Sequence, residues 1–505
     1  MRMNHKLQSL LWVALSALLV SLSRLPLHCG WLVFVGWIPL LHVLPRPELR
    51  LWQAAAVFAL IYISIIFSWI GLVTPGGVFG IGVVYFLFYW LCYYLIREIG
   101  QAFPAWRYTA FIAVLLSFEF VQNFGETRFP WFHIAYSLSD YQILIQAAEL
   151  GGVILISALV LGVNVLLYQV VLRRWRYLYV ILVLFILWFG QGYLSQHTLK
   201  LEKHDARIGL MQPSIPQDDK WDAAFYQQIL KRYDELCAKA EKDSTRLLIF
   251  PEAAMPVYLI SDWNSLNVLQ DFTRKYNLDI FTGFPHYEYA PPQHVNKLYF
   301  YNAASLFKPD GSIGKLYYKN ILVPVGERML WLDYFPFLWS LQFGQANWEF
   351  GREQRWYESG GYEFSPSICY EIAFAGLHQK MAIPRDTKNG KLRKTDFLAN
   401  ITNDAWFGTS YGPWLHGLMT KFRAVENRIQ IYRSANSGIS MIVSPTGEVL
   451  RKAGLFEITN LSAPLYTCSR IPLYRHIAWY PWLIVGLVIL LFGLSLLSGK
   501  QRKLQ

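Results

Sequence analysis

Apolar runs long enough to cross a bilayer fill the first 193 residues and return at 477–497, with a block of soluble character between them. A helical crossing needs around 20 mostly apolar residues. Such runs fall near 7–23, 29–44, 51–73, 77–99, 106–124, 148–172, 177–194 and 477–497, the first two at the short end of the range. The expected architecture is an α-helical membrane bundle of eight spans joined to a separate water-facing domain. Only 16% of the residues are charged, against roughly 25% in soluble proteins.

Basic residues order the loops. Arg2 and Lys6 precede the first run, Arg46 and Arg50 follow the second, and Arg97 and Arg107 flank the loop after the fourth. Arg173, Arg174 and Arg176 follow the sixth, and Lys500, Arg502 and Lys503 close the chain. The intervening loops carry Arg24, none in Thr74-Pro75-Gly76-Gly77, and Arg128. Lys and Arg concentrate in cytoplasmic loops, so both termini are expected in the cytoplasm and residues 200–470 across the membrane. Much of the net charge of +12 sits in these loops, which argues against nucleic acid as a partner. The first run lacks a small-residue cleavage site and is expected to be a retained span. The division expected is 1–199 for seven spans, 200–472 for an extracytoplasmic catalytic domain, and 473–505 for a last span with a basic tail.

Within the central block, strand and helix patterns alternate. Ile208–Pro213, Leu247–Phe250, Asp279–Gly283, Phe397–Ile401 and Ile439–Val443 read as strands, while 223–242 and the region around 263–276 read as helices. Tyr299–Phe307 and Lys315–Tyr318 flank Pro309-Asp310-Gly311, and Ser444-Pro445-Thr446-Gly447-Glu448 marks a second tight turn. Helices between strands, with added hairpins, predict a layered α/β domain. The five cysteines (29, 92, 237, 369 and 468) are odd in number, and pairing of Cys237 with Cys468 stays open. No C-x-x-C or Cys/His cluster suggests a metal, and no cofactor is expected.

Three polar residues close strand-like runs in this block. Glu252 follows Phe250-Pro251, Lys319 follows Tyr317-Tyr318, and Cys369 follows Ser365-Pro366-Ser367-Ile368. Each has an ordinary reading alone, and a free cysteine is usually a small buried hydrophobe. Together they supply a base, a cation for an oxyanion, and a thiol nucleophile.

Phe250-Pro251-Glu252, Lys319 and Ile368-Cys369-Tyr370-Glu371 resemble the Glu-Lys-Cys triad of the nitrilase (carbon-nitrogen hydrolase) superfamily. Asn403–Gly408 and Arg423–Arg428 strengthen the resemblance. Within it, Lys319–Glu327, Gly412-Pro413-Trp414-Leu415-His416, Arg433–Gly438, Phe129-Pro130-Trp131 and the apolar runs are similar to the apolipoprotein N-acyltransferase family. Ile321 and Val325 depart from the pattern, where a polar or basic residue and a Phe are expected. They bear on the pocket wall and leave the triad intact.

The resemblance implies an α-β-β-α sandwich for the catalytic domain, on the periplasmic side of a bacterial inner membrane. It also implies transfer of an acyl chain from a phospholipid, typically phosphatidylethanolamine, through a thioester on Cys369. The acceptor would be the N-terminal amine of a diacylglyceryl-cysteine lipoprotein. Glu252 would serve as base, and Lys319 with the Tyr370 amide would hold the oxyanion. Glu327 would position Lys319 or the amine, Glu371 the turn at Cys369, and Trp221 the substrate mouth. Partners are then the phospholipid, the diacylated lipoprotein and membrane lipid, with a monomer expected.

Two apolar stretches, Ala254–Ile260 and Met329–Trp339, are expected to dip into the outer leaflet. Glu119, Arg128, His133 and Glu149 are costly at membrane depth unless paired, and an ion pair that sets helix packing is expected. One alternative is a membrane-tethered nitrilase-like amidase that hydrolyses small amides, although tethering needs a single span. A transporter with an outer domain is a second, but the spans show no internal repeat.

Overall fold

The computed structural model describes residues 5–291, 297–340, 346–386 and 390–503. It separates into two compact units, Leu199–Arg475 and Met1–Thr198 with His476–Gln505.

Unit 199–475 is built on two six-stranded sheets. One runs in the order β12-β1-β2-β3-β4-β5, with β1 Glu202–Gln212, β2 Leu247–Ile249, β3 Asp279–Tyr289, β4 Leu298–Phe307, β5 Tyr317–Tyr318 and β12 Thr459–Thr467. The other runs β11-β10-β9-β8-β7-β6, with β6 Tyr357–Ser359, β7 Tyr362–Ile368, β8 Phe397–Thr402, β9 Gln430–Ala435, β10 Met441–Val443 and β11 Val449–Lys452. Each sheet has a parallel centre, β1-β2-β3 and β7-β8-β9, with antiparallel neighbours on its flanks. Leu247, Leu248 and Ile249 are all fully buried, as expected of a strand covered on both faces.

One buried cluster unites residues of both sheets, among them Ile208, Ile249, Phe281, Phe364, Ile401 and Ile431. The other joins the first sheet to helices Tyr226–Lys242 and Trp263–Tyr276. Tyr226–Lys242 buries Ile229, Leu230, Tyr233, Leu236, Cys237 and Ala240, the single stripe of an amphipathic helix. Trp263–Tyr276 begins at Asp262, whose carboxylate accepts the Asn264 N–H, and ends at left-handed Asn277. Helices Ala375–Ala382 and Met419–Asn427 pack on the second sheet.

One open pairing is decided here and one expectation changes. All five cysteines are free, Cys237 and Cys468 included. Of the two apolar stretches, Ala254–Ile260 is mostly part of the helix-side core. Ala254, Met255 and Leu259 are buried in it and Val257 and Ile260 pack against it, so only Tyr258 is well exposed. In Met329–Trp339, by contrast, Trp331, Tyr334, Phe335 and Phe337 are exposed.

In the other unit, five helices among the described residues are long and apolar enough to cross a membrane: His5–Leu22, Gly76–Ala102, Ala148–Val171, Arg176–Thr198 and Tyr474–Ser498. The runs at 29–44, 51–73 and 106–124 form shorter helices. Run 29–44 is broken into Gly30–Leu32, Val33–Gly36 and Ile38–Val43. Run 51–73 divides into Leu51–Ile66 and Ile70–Val73, and 106–124 gives Arg107–Val121. Backbone groups freed by a break need partners in an apolar medium. Asn164 provides them at Trp37, accepting its N–H at 3.0 Å while donating to the Val33 carbonyl at 2.9 Å.

The non-helical segment Trp131–His133, which leads into the 3-10 helix Ile134–Leu138, is held the same way. Arg24 donates to the carbonyls of Trp131 (2.7 Å) and His133 (3.2 Å), and Glu119 accepts the Ile134 N–H at 2.6 Å. Glu119 also meets His133 Nδ1 at 3.2 Å, with both side chains 2% exposed. Glu149 accepts from the Ser195 hydroxyl at 2.5 Å. Helix Arg176–Thr198 turns Leu178, Leu182, Ile186 and Leu187 outward, an apolar face suited to lipid.

That helix rests closely on Gly192, where an added Cβ would lie 2.1 Å from the Ile143 carbonyl oxygen, while Gly190 opens onto free space. Gly192→Ala is expected to destabilise the bundle by roughly 1–3 kcal/mol, as overpacking does. Gly190→Ala should be close to neutral. Thermal unfolding of both variants in detergent checks the pair.

Candidate active site

Glu252, Lys319 and Cys369 each stand just beyond a strand end. Glu252 follows β2 and Cys369 follows β7, both central parallel strands, one in each sheet. Open α/β sheets hold ligands at such carboxyl ends. Lys319 continues edge strand β5, its N–H donating to the Asn302 carbonyl at 2.9 Å. Gly351 passes close behind, donating its N–H to the Lys319 carbonyl at 2.8 Å. A Cβ at Gly351 would sit 2.0 Å from the Tyr318 carbonyl oxygen, so only glycine fits.

Cys369 turns the chain sharply. Its φ is +50°, a left-handed conformation that costs a non-glycine residue about 1–3 kcal/mol. A short 3-10 helix, Cys369–Ala373, follows. Glu371, on that helix and fully buried, holds the turn. Its carboxylate accepts the Ile368 N–H (2.7 Å), the Tyr317 hydroxyl (2.8 Å), the Asn320 N–H (2.6 Å) and the Ile321 N–H (3.1 Å). Burial pushes Glu371 up to about 7, against these hydrogen bonds, which favour the anion.

The charged groups form a buried chain. Lys319 is 1% exposed, and its Nζ lies 2.8 Å from Glu327 and 3.5 Å from Glu252. Burial alone would lower its pKa, but Glu327 and Glu252 more than offset that and keep it an ammonium. Asn302 Nδ2 donates to Glu252 at 2.7 Å and reaches Glu327 at 3.4 Å. The Asn403 N–H takes the other Glu252 oxygen at 2.9 Å, and Glu327 accepts the Val323 N–H at 2.8 Å. Cys369 faces this chain: burial pushes its thiol well above the usual cysteine range, Glu252 adds to the rise, and Lys319 opposes it. A thiol within electrostatic reach of a carboxylate and an ammonium suits proton removal coupled to attack on an acyl carbon.

Other residues were not singled out from the sequence. Asp404, His416 and Arg433 lie inside the motifs quoted above without an assigned role. Asp404 accepts from the Thr402 hydroxyl at 2.9 Å and from Arg433 at 2.8 Å, and His416 Nδ1 lies 2.9 Å from it. His416 Nε2 lies 3.2 Å from the Cys369 carbonyl oxygen. Burial would raise Asp404, but Arg433 and His416 pull it down to about 2. Sγ of Cys369, a carboxylate oxygen of Asp404 and a ring nitrogen of His416 fall within 4.8 Å of one another. Those are metal-ligand types, but the Arg433 guanidinium already occupies Asp404, and a cation would have to displace it. Lys220, 2% exposed, donates to the Glu252 carbonyl at 2.9 Å. No sequence spacing signals it.

Of the supporting candidates, Glu327 and Glu371 join the network. Tyr370 is buried, edge-on to Phe374 at 5.2 Å between ring centres. Trp221 stands outside the network, 48% exposed. Alkylation of Cys369 by iodoacetamide across pH, followed on its own peptide by mass spectrometry, reads the electrostatic field at the sulfur. Glu252→Gln removes a negative charge and is expected to lower the alkylation midpoint. Lys319→Met removes a positive one and should raise it, each by about one unit.

Residues 207–466 match the carbon-nitrogen hydrolase family model, and residues 16–166 match the apolipoprotein N-acyltransferase N-terminal domain. The apolipoprotein N-acyltransferase of Chlorobaculum tepidum is 26% identical over 94% of this chain and 93% of its own. That of Rickettsia prowazekii is 30% identical over 70% and 68%. Among solved structures, an amidase from Nesterenkonia sp. covers 55% of this chain and 95% of its own at 19% identity, with a TM-score of 0.37. The chain belongs to the apolipoprotein N-acyltransferase family, within the carbon-nitrogen hydrolases.

Proposed function

We propose that Cys369 carries the acyl group in the lipoprotein N-acylation for which this family is named. The observation that carries the reading is the thiol in its left-handed turn, facing a buried carboxylate–ammonium–carboxylate chain. In the first half-reaction Glu252 takes the thiol proton as the sulfur attacks an ester carbonyl of the phospholipid. The oxyanion is held by Lys319 and the Tyr370 N–H. The ester C–O bond then breaks, and the lysophospholipid leaves with the proton from Glu252.

In the second half-reaction the α-amine of a diacylglyceryl-cysteine attacks the thioester. Glu252 accepts a proton from the attacking nitrogen and returns it to the departing sulfur, so an amide forms and the thiol is restored. An amide is more stable than a thioester, so the transfer needs no other energy source.

Phosphatidylethanolamine as donor, a monomeric enzyme and an inner-membrane location belong to the same reading. So do eight crossings, in which the shorter helices complete the bundle, a periplasmic α-β-β-α sandwich, and the division 1–199, 200–472 and 473–505. Basic residues in alternate loops support that orientation. The exposed rings of Trp331, Tyr334, Phe335 and Phe337 suit headgroup depth. At the root of that loop, buried Arg328 pairs with Glu349 at 2.9 Å and with Asp333.

Protein incubated with acyl-labelled phosphatidylethanolamine is expected to carry hydroxylamine-labile label on the Cys369 peptide. Cys369→Ala should carry none, and Glu252→Gln should acquire it at least ~100-fold more slowly. An active preparation without the adduct overturns the reading. A phosphatase reporter placed in the exposed Gly360-Gly361 turn is expected to be active only outside the cytoplasm; cytoplasmic activity overturns the orientation.

A further inference from the structure

Charge around Cys369 does not balance. Glu252 and Glu327 share one ammonium, that of Lys319. Ionising the thiol, or forming an oxyanion on the acyl carbon, adds a further negative charge in a buried setting. An unmatched buried charge is strongly disfavoured.

A second buried ammonium lies at hand. Lysine is rarely buried unless its charge has a use, yet Lys220 is 2% exposed. Its Nζ donates to the Glu252 carbonyl at 2.9 Å. The residue after Glu252, Ala253, has a φ of +47°, so the lysine grips the chain where it enters a strained turn.

The segment bearing Lys220 is tied to the site. Asn403, whose N–H binds the Glu252 carboxylate, also donates through Nδ2 to Gln217 at 2.8 Å. Asn436 accepts the Ile215 N–H at 2.9 Å and donates to the Ile215 carbonyl at 2.8 Å. The lysine is therefore held in place rather than tucked away by chance.

We propose that Lys220 is a positioning residue of the acyl-transfer site: its ammonium fixes the Glu252 carbonyl and supplies the second positive charge that a Cys369 thiolate requires. The inference rests on the reading of Cys369 as nucleophile. Burial lowers Lys220 to about 8, while Glu252 and Cys369 act to keep it charged. On its own segment Asp218 is exposed, Asp219 is partly exposed, and Asp222 caps the next 3-10 turn. Facing Cys369 are Glu252, Lys319, Asp404, Glu327 and His416. Losing the Lys220 charge therefore removes one of two ammoniums from a site dominated by carboxylates, and the thiol should ionise at higher pH.

Iodoacetamide alkylation of the Cys369 peptide, measured across pH in full-length protein, tests this. Below about pH 8, where Lys220 carries its charge, Lys220→Met is expected to slow alkylation about tenfold, and above it the two rates should converge. Lys220→Arg keeps its charge at every pH used, so it should alkylate at least as fast as wild type throughout. A purely structural lysine would lower thermal stability in Lys220→Met and leave the rate below about pH 8 unmoved, which overturns the proposal. Where Lys220→Met does not accumulate, Lys220→Arg decides alone: slower alkylation than wild type is the contrary result. Absence of a hydroxylamine-labile adduct in active wild-type protein sinks the underlying reading. An adduct together with an unslowed Lys220→Met sinks this inference alone.

Discussion

One buried carboxylate ties the site together. Glu371 accepts hydrogen bonds from Ile368, just before the thiol, and from Tyr317, Asn320 and Ile321 around the lysine. The thiol comes from one sheet and the lysine from the other. Without a shared acceptor, the separation of sulfur and ammonium would depend on side-chain packing alone. Four donors converging on one carboxylate make it depend on directional bonds, each of which is costly to leave unmade in a dry interior. That brace steadies both the left-handed backbone at Cys369 and the short edge strand Tyr317–Tyr318.

The remaining polar groups divide by task. Asn302 and the Asn403 N–H orient Glu252, leaving its carboxylate with few alternative directions. The Asp404–Arg433–His416 cluster reaches the Cys369 carbonyl. Glu252 and Cys369 are thus both held through their own main-chain oxygens, Glu252 by Lys220 and Cys369 by His416. Such anchoring fixes the backbone beneath each side chain, a form of the preorganisation on which acyl transfer depends.

The triad was legible in the sequence because each member closes a short run whose pattern marks a strand. Leu247–Ile249 before Glu252 is apolar without interruption, and Tyr317-Tyr318 follows a clear turn. Lys220, Asn302, Asp404 and His416 were not legible as site residues. Their roles depend on contacts with residues far along the chain, and nothing in local spacing reports those. Apolar content misjudged Ala254–Ile260 for a related reason: a stretch that packs on its own helices and one that meets lipid have the same composition. Hydropathy also passed over the break near Trp37. The residue that repairs it, Asn164, lies more than a hundred positions away.

Lys220 and Trp221 are consecutive, one sealed inside the turn and the other 48% exposed. In so short a turn the backbone cannot shift one without carrying the other. On the proposed reading, a fatty chain or peptide leaning on the indole would be felt within a single residue at the ammonium that braces Glu252. Arrival of cargo at the rim and readiness of the proton acceptor would then be one mechanical event.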